Sequence, residues 1–97
     1  MHAIAFHRGA EGDLWDAVVY YEERASGLGD AFLDEVEQAV QRVREFPTSW
    51  TIYEGEYRRC LLRRFPYGLI YRVEPLRVFI IAVAHLRREP GYWHTRV

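Results

Sequence analysis

Lysine is missing from this chain: all thirteen basic side chains among its 97 residues are arginine. That excludes recognition by scattered ammonium point charges and favours planar, multidentate contacts to carboxylate or phosphate. Cysteine is nearly missing too. Cys60 has no partner for a disulfide and no second thiol or clustered histidine for a zinc site, which points to a reducing, cytoplasmic setting. No apolar run approaches the roughly 20 residues that span a bilayer. The opening "MHAIAFHRGAEG" is too short and too soon charged for a signal peptide, so a soluble protein is expected. Gly-rich phosphate loops, a Ser-His-Asp set and cofactor fingerprints are also absent. His2, His7 and His94 have no metal-ligand spacing with any acid or with Cys60, so neither a metal nor a cofactor is expected.

What is present is a dense apolar fraction, 49%, with 15% aromatics, enough to build one core in a single domain covering residues 1–97. The net charge of −1 conceals a strong polarity. Residues 1–56 hold twelve acids against four arginines, and residues 57–97 hold nine arginines against two acids. Two readings follow: a basic C-terminal face that meets an anionic partner, or acidic helices packed beside a basic sheet so that the charges neutralise internally.

Periodicity supplies the organisation. "AIAFH" reads as a short first strand. From Ala10, Leu14, Val18, Tyr21 and Ala25 recur at helical spacing, with acids in the first turn. "SGLGD" breaks the chain and offers Asp30 as a cap for a second helix, in which Leu33, Val36, Val40 and Val43 share a face until Pro47. Three strands follow, residues 57–65, 67–74 and 76–85, separated by turn chemistry at Pro66 and at Glu74-Pro75. In the first, Tyr57, Arg59, Leu61, Arg63 and Phe65 fall on one face and Arg58, Cys60, Leu62 and Arg64 on the other. Near-continuous apolarity from Val78 to Ala84 predicts a central strand covered on both sides. The expected fold is α+β: an N-terminal strand, then an antiparallel helical hairpin packed on a small antiparallel sheet, in the order β-α-α-β-β-β.

The ending "AVAHLRREPGYWHTRV" gathers groups able to act on RNA or to dock on a partner. His85 ends the central strand, where a general base and a strand-end hydrogen bonder are both consistent with the sequence. Pro90-Gly91 stops the strand from continuing, so the tail should leave the sheet and lie across its edge. Tyr92 and Trp93 are expected to anchor it by apolar burial, with Arg87, Arg88 and Arg96 directed at solvent or a partner and residues 94–97 contributing little to stability. Trp15 and Trp50 are expected to be structural.

The helical segment "YYEERASGLGDAFLDEVEQAV", the block "RRCLLRRFPYGLIYRV" and the block "AVAHLRREPGYW", in that order over nearly the whole chain, resemble the RelE/ParE superfamily of bacterial toxins from type II toxin–antitoxin modules. The resemblance implies a small toxin neutralised by a cognate antitoxin, acting on DNA gyrase as ParE-like members do, or as a ribosome-dependent mRNA endonuclease as RelE-like members do. Similar RNA-cleaving members carry an arginine directly after the tyrosine matching Tyr67, where this chain has Gly68.

RNA cleavage needs a base for the 2′-hydroxyl, cations for the phosphorane and an acid for the leaving oxygen. The residues available for that are Arg59, Arg63, Arg64, His85, Arg87, Arg88 and Tyr92. The preferred reading is ParE-like, with Arg63, Arg64, Arg87, Arg88, Tyr92 and Trp93 contacting antitoxin or target and no sequence-specific DNA binding by the toxin alone. A regulatory member that only joins its antitoxin in repressing their operon is a third possibility. An apolar groove along the helical hairpin and sheet edge should receive an acidic, leucine-rich antitoxin segment.

Overall fold

The structure, a computed structural model, describes residues 2–97. Strand β1 is Ala3–Phe6 and helix α1 is Arg8–Arg24. The expected strand gives up His7 to the helix, because its ring Nδ1 accepts from the Gly9 N–H at 2.8 Å and makes it the helix cap. Helix α1 therefore starts two residues earlier than its apolar pattern implies. It buries Ala10, Leu14 and Ala17, and Tyr21 packs edge or face against Phe32, Phe65 and Tyr67.

Helix α2, Leu28–Glu45, also begins before its expected cap. Gly27, at φ +87°, occupies the cap position in a left-handed conformation suited to glycine, and it has no side chain to offer the first turn. Glu22 does that work from the preceding helix, its carboxylate accepting from the Gly27 N–H at 3.0 Å and the Gly29 N–H at 3.0 Å. Asp30 instead sits inside the first turn, where its charge still suits the macrodipole. The fully buried face of α2 is Phe32, Val36, Ala39 and Val43, while Leu33 and Val40 are half-buried on its flank.

Among the described residues the sheet has five strands in the order β1-β5-β4-β3-β2, with β2 Ile52–Glu54, β3 Tyr57–Leu61, β4 Tyr67–Val73 and β5 Arg77–His85. The β3-β4-β5 meander is antiparallel as expected, but β1 runs parallel to β5, so the sheet is mixed. Strand β2 has no counterpart in the sequence reading. Its three residues are all exposed and pair irregularly with β3, leaving no alternation to detect. Strand β3 ends at Leu61 rather than Phe65, so the two-face assignment fails for residues 62–65, which form a loop.

Both faces of the interior strands are covered. The helices bury Cys60, Leu69, Tyr71, Val78, Ile80 and Val83, while Ile70, Ile81 and Ala82 on the other face are covered by Trp93. Trp93 is 2% exposed and meets the Tyr57 ring at 4.8 Å, so the tail crosses the sheet face as well as its edge. Register slips between Ile70 and Tyr71, which pair with Ala82 and Ile80 and leave Ile81 as a bulge.

Trp93→Ala should cost about 3 to 5 kcal/mol in urea unfolding, because a large buried ring leaves a cavity on that face. A second expectation concerns alkali. Burial pushes the Tyr71 phenol, which donates to the Pro47 carbonyl at 2.6 Å, up to about 12, with Cys60 adding to the shift. Burial and then the neighbouring Tyr21 raise Tyr67 to about 12. A raised folded-state pKa favours the protonated form, so this stability is complete below the unfolded value near pH 10 and is lost as pH rises toward 12. Urea midpoints should be flat approaching pH 10 and fall beyond it, less steeply in Tyr71→Phe.

Candidate functional site

The helix α1 pattern that buries Ala10, Leu14 and Ala17 also turns Asp13 toward the exposed edge of β5, beyond the end of β1. Its side chain is only 7% exposed and accepts from four donors. Oδ2 takes the Val83 N–H at 3.1 Å, the Tyr92 hydroxyl at 2.9 Å and Arg96 Nη1 at 2.7 Å, and Oδ1 takes Arg96 Nη2 at 3.0 Å. Arg96 Nη1 also donates to the carbonyl of the bulged Ile81 at 2.9 Å. The pair thus supplies hydrogen-bond partners for a stretch of β5 that no strand reaches.

This corrects the expectation that Arg96 is directed at solvent or a partner, and it ties the end of the tail to the fold. The Asp13 hydrogen bond, followed by Asp13's charge, raises the Arg96 pKa against the opposing effect of burial. Tyr92 is raised well above an ordinary phenol, by burial first and then by the charge and hydrogen bond of Asp13. The Arg88 guanidinium lies 3.7 Å from the Tyr92 ring centroid and 3.8 Å from Asp13 Oδ1. Outside this cluster, His94 pairs with Glu54 on β2.

His85 Nδ1 accepts from the Arg87 N–H at 3.0 Å, and its ring meets Tyr67 edge-on at 5.0 Å. It lines a cavity of about 230 Å³ with Asp16, Tyr20, Tyr67 and Arg88. Arg59 lies elsewhere, over the Tyr53 ring at 4.3 Å in a groove completed by Trp50, Ile52 and Leu61. A Cβ at position 68 would stand 3.0 Å from Arg59 Cγ, so Gly68 makes room for the Arg59 stem. Arg63 and Arg64 occupy the β3–β4 loop, and both backbone N–H groups donate to Oε1 of the buried Glu35, at 2.7 and 2.9 Å.

The loop meets the start of the tail where the Leu86 N–H donates to the Pro66 carbonyl at 2.9 Å. Arg63, Arg64, Arg87 and Arg88, all exposed, therefore belong to one end of the sheet. Tyr92 and Trp93 do not join that outward surface, since one is bonded to Asp13 and the other is buried. Of the other tryptophans, Trp50 packs against the core, but Trp15 is 53% exposed and has no core role. Cys60 is fully buried, and burial pushes its thiol up despite Arg42 nearby.

An apolar groove of about 370 Å³ runs between the hairpin and the edge strand, lined by Phe6, Leu14, Leu33, Val36, Val40 and Arg44 among others. Among the described residues, Arg44 Nε is buried there without a hydrogen-bond partner. A buried donor without an acceptor is costly, so a partner that brings an oxygen to this place gains by it. Asp13, Glu35 and Glu22 escaped the sequence reading because acids on a helix look like solvated surface; only tertiary contact reveals a carboxylate as an internal acceptor.

Arg96→Gln, and separately deletion of residues 94–97, should each lower unfolding stability by roughly 3 kcal/mol, because Asp13 is left buried without its cation. Removing Val97 alone, which is exposed, should have no measurable effect on the urea midpoint.

Residues 4–90 match the family described as ParE toxin of type II toxin-antitoxin system, parDE. Toxin ParE2 of Mycobacterium tuberculosis, from strains CDC 1551 / Oshkosh and ATCC 25618 / H37Rv, is 32% identical over 89 residues, which is 91% of this chain and 85% of the relative. A chain from the chromosomal ParDE TA system of P. aeruginosa matches with a TM-score of 0.63 at 20% identity, over 90% of this chain and 98% of that one, a likeness of fold. The chain belongs to the ParE toxin family of type II toxin–antitoxin systems.

Proposed function

We propose that this toxin stops growth by docking on DNA gyrase rather than by cutting RNA, and that its antitoxin neutralises it in the cytoplasm by folding into the groove beside β1. The observation that carries the first half is the Tyr92 hydroxyl, which donates to a carboxylate already held by Arg96. A phenol so placed, with its pKa raised, is a poor acid for a leaving oxygen. His85 Nδ1 is engaged by the Arg87 N–H, and Arg59 lies at a separate groove. The RNA-cleaving alternative must work without the sheet arginine that Gly68 replaces. A docking surface needs none of this. The exposed end presents the guanidinium groups of Arg63, Arg64 and Arg87, with Arg88 beside them stacked on Tyr92.

For the antitoxin, the groove supplies apolar walls and the unpartnered Arg44 donor, which together suit an acidic, leucine-rich helix. No helix among the described residues is long and apolar enough to cross a membrane, which is compatible with a meeting in the cytoplasm.

Purified toxin added to gyrase should inhibit supercoiling and accumulate cleaved DNA covalently attached to the enzyme. His85→Gln should retain most of this inhibition, and Arg87→Gln with Arg88→Gln should lose more of it than the same pair of changes at Arg42 and Arg44. A nuclease would instead lose roughly a hundredfold or more of its activity on His85→Gln. Ribosome-dependent mRNA cleavage by the wild-type chain that disappears in that variant, with gyrase unaffected, would overturn the proposal.

A further inference from the structure

Helix α1 buries Ala10, Leu14 and Ala17, with Tyr21 half-buried on the same side. At about 100° per residue, the opposite side carries Arg8, Gly12, Trp15, Val19 and Glu23. A surface helix normally places polar residues there. Here the centre of the outward face is apolar, with Trp15 53% and Val19 55% exposed, and neither belongs to the groove or to the basic end described above.

From this stripe we infer that α1 is an interface with a second copy of the chain, packed antiparallel about a two-fold axis passing between residues 15 and 16. Under that operation Arg8 faces the partner's Glu23, Gly12 faces the partner's Val19, and the two Trp15 rings lie beside the axis. Each outward residue then has a complement. Nothing lies within 4 Å of a Cβ built on Gly12, so that position offers Val19 an open place. Among the described residues, neither Arg8 nor Glu23 makes an ion pair within its own chain.

The charges also have a direction. A cation in the first turn and an acid in the last oppose a helix's own macrodipole, in contrast to Glu11 and Arg24, which suit it. In the antiparallel pair Arg8 approaches the C-terminal end of the partner helix and Glu23 its N-terminal end, where both signs are favourable. A parallel pair would set Arg8 against Arg8 and Glu23 against Glu23. A foreign partner has no reason to require a pattern that complements itself under a two-fold rotation, whereas an isologous dimer does.

A 17-residue helix offers a contact only about 25 Å long, less than a standard-size interface, so the dimer is weak and depends on concentration. It would carry two grooves and two basic ends, and it does not depend on which target the toxin meets.

Sedimentation of the purified full-length chain, from low micromolar to several hundred micromolar, tests this. The weight-average mass should rise from 11.5 kDa toward twice that value. Trp15→Glu and Val19→Glu should each weaken self-association by about tenfold or more, with thermal melts unchanged because both sites are exposed. Arg8→Glu should weaken it, and adding Glu23→Arg should restore it. A wild-type mass that stays at the monomer value throughout, or a charge swap without rescue, overturns the inference. So does a Trp15→Glu variant that loses antitoxin binding but keeps its self-association, because the stripe then belongs to the antitoxin.

Discussion

The ion pair between Asp13 and Arg96, 83 residues apart in sequence, ties helix α1, strand β5 and the tail together. Its geometry is bidentate, and Asp13 also accepts from a backbone amide and a phenol, so the carboxylate's remaining lone pairs are satisfied. A buried charge is tolerable on those terms and costly on any other. The pair closes the part of β5 that β1 does not reach and brings the tail back to α1. Trp93 is thereby held over the second face of the sheet. Without that return the face would be an open apolar surface.

Two other acids act in the same way. Glu22 caps α2 from the end of α1, and Glu35, buried on α2, binds the two loop amides that precede β4. The acidic first half of the chain is therefore partly an internal scaffold for the arginine-rich second half. Neutralisation and display both occur: Arg96 is consumed inside, while Arg63, Arg64, Arg87 and Arg88 remain outside. Glu35 binds Arg63 and Arg64 through their backbone, which leaves both guanidinium groups free for a partner.

This arrangement also engages residues that could act as acid and base. Chemistry needs donors that are free to release a proton and placed around a common point. Here Tyr92 and His85 are integrated into the hydrogen bonding that shapes the tail, and Arg59 stacks on Tyr53 away from them. The end of the sheet that carries Arg63, Arg64, Arg87 and Arg88 stays exposed.

The sequence by itself determined the α+β class, the helical hairpin, the covering of β5 on both faces and the burial of Trp93, because each rests on local periodicity or on the size of an apolar side chain. Its family blocks were legible for the same reason: motifs such as "RRFPYGLIYRV" are contiguous. Other features depended on partners distant in the chain. Strand β2 forms only because β3 offers an edge, and β1 is parallel to β5 only because the hairpin crosses between them. The loop at residues 62–65 replaces the end of a strand because Glu35 takes its amides. Charge alone directed Arg87 and Arg96 alike toward solvent or a partner, and tertiary structure divided them by placing a buried carboxylate within reach of only one.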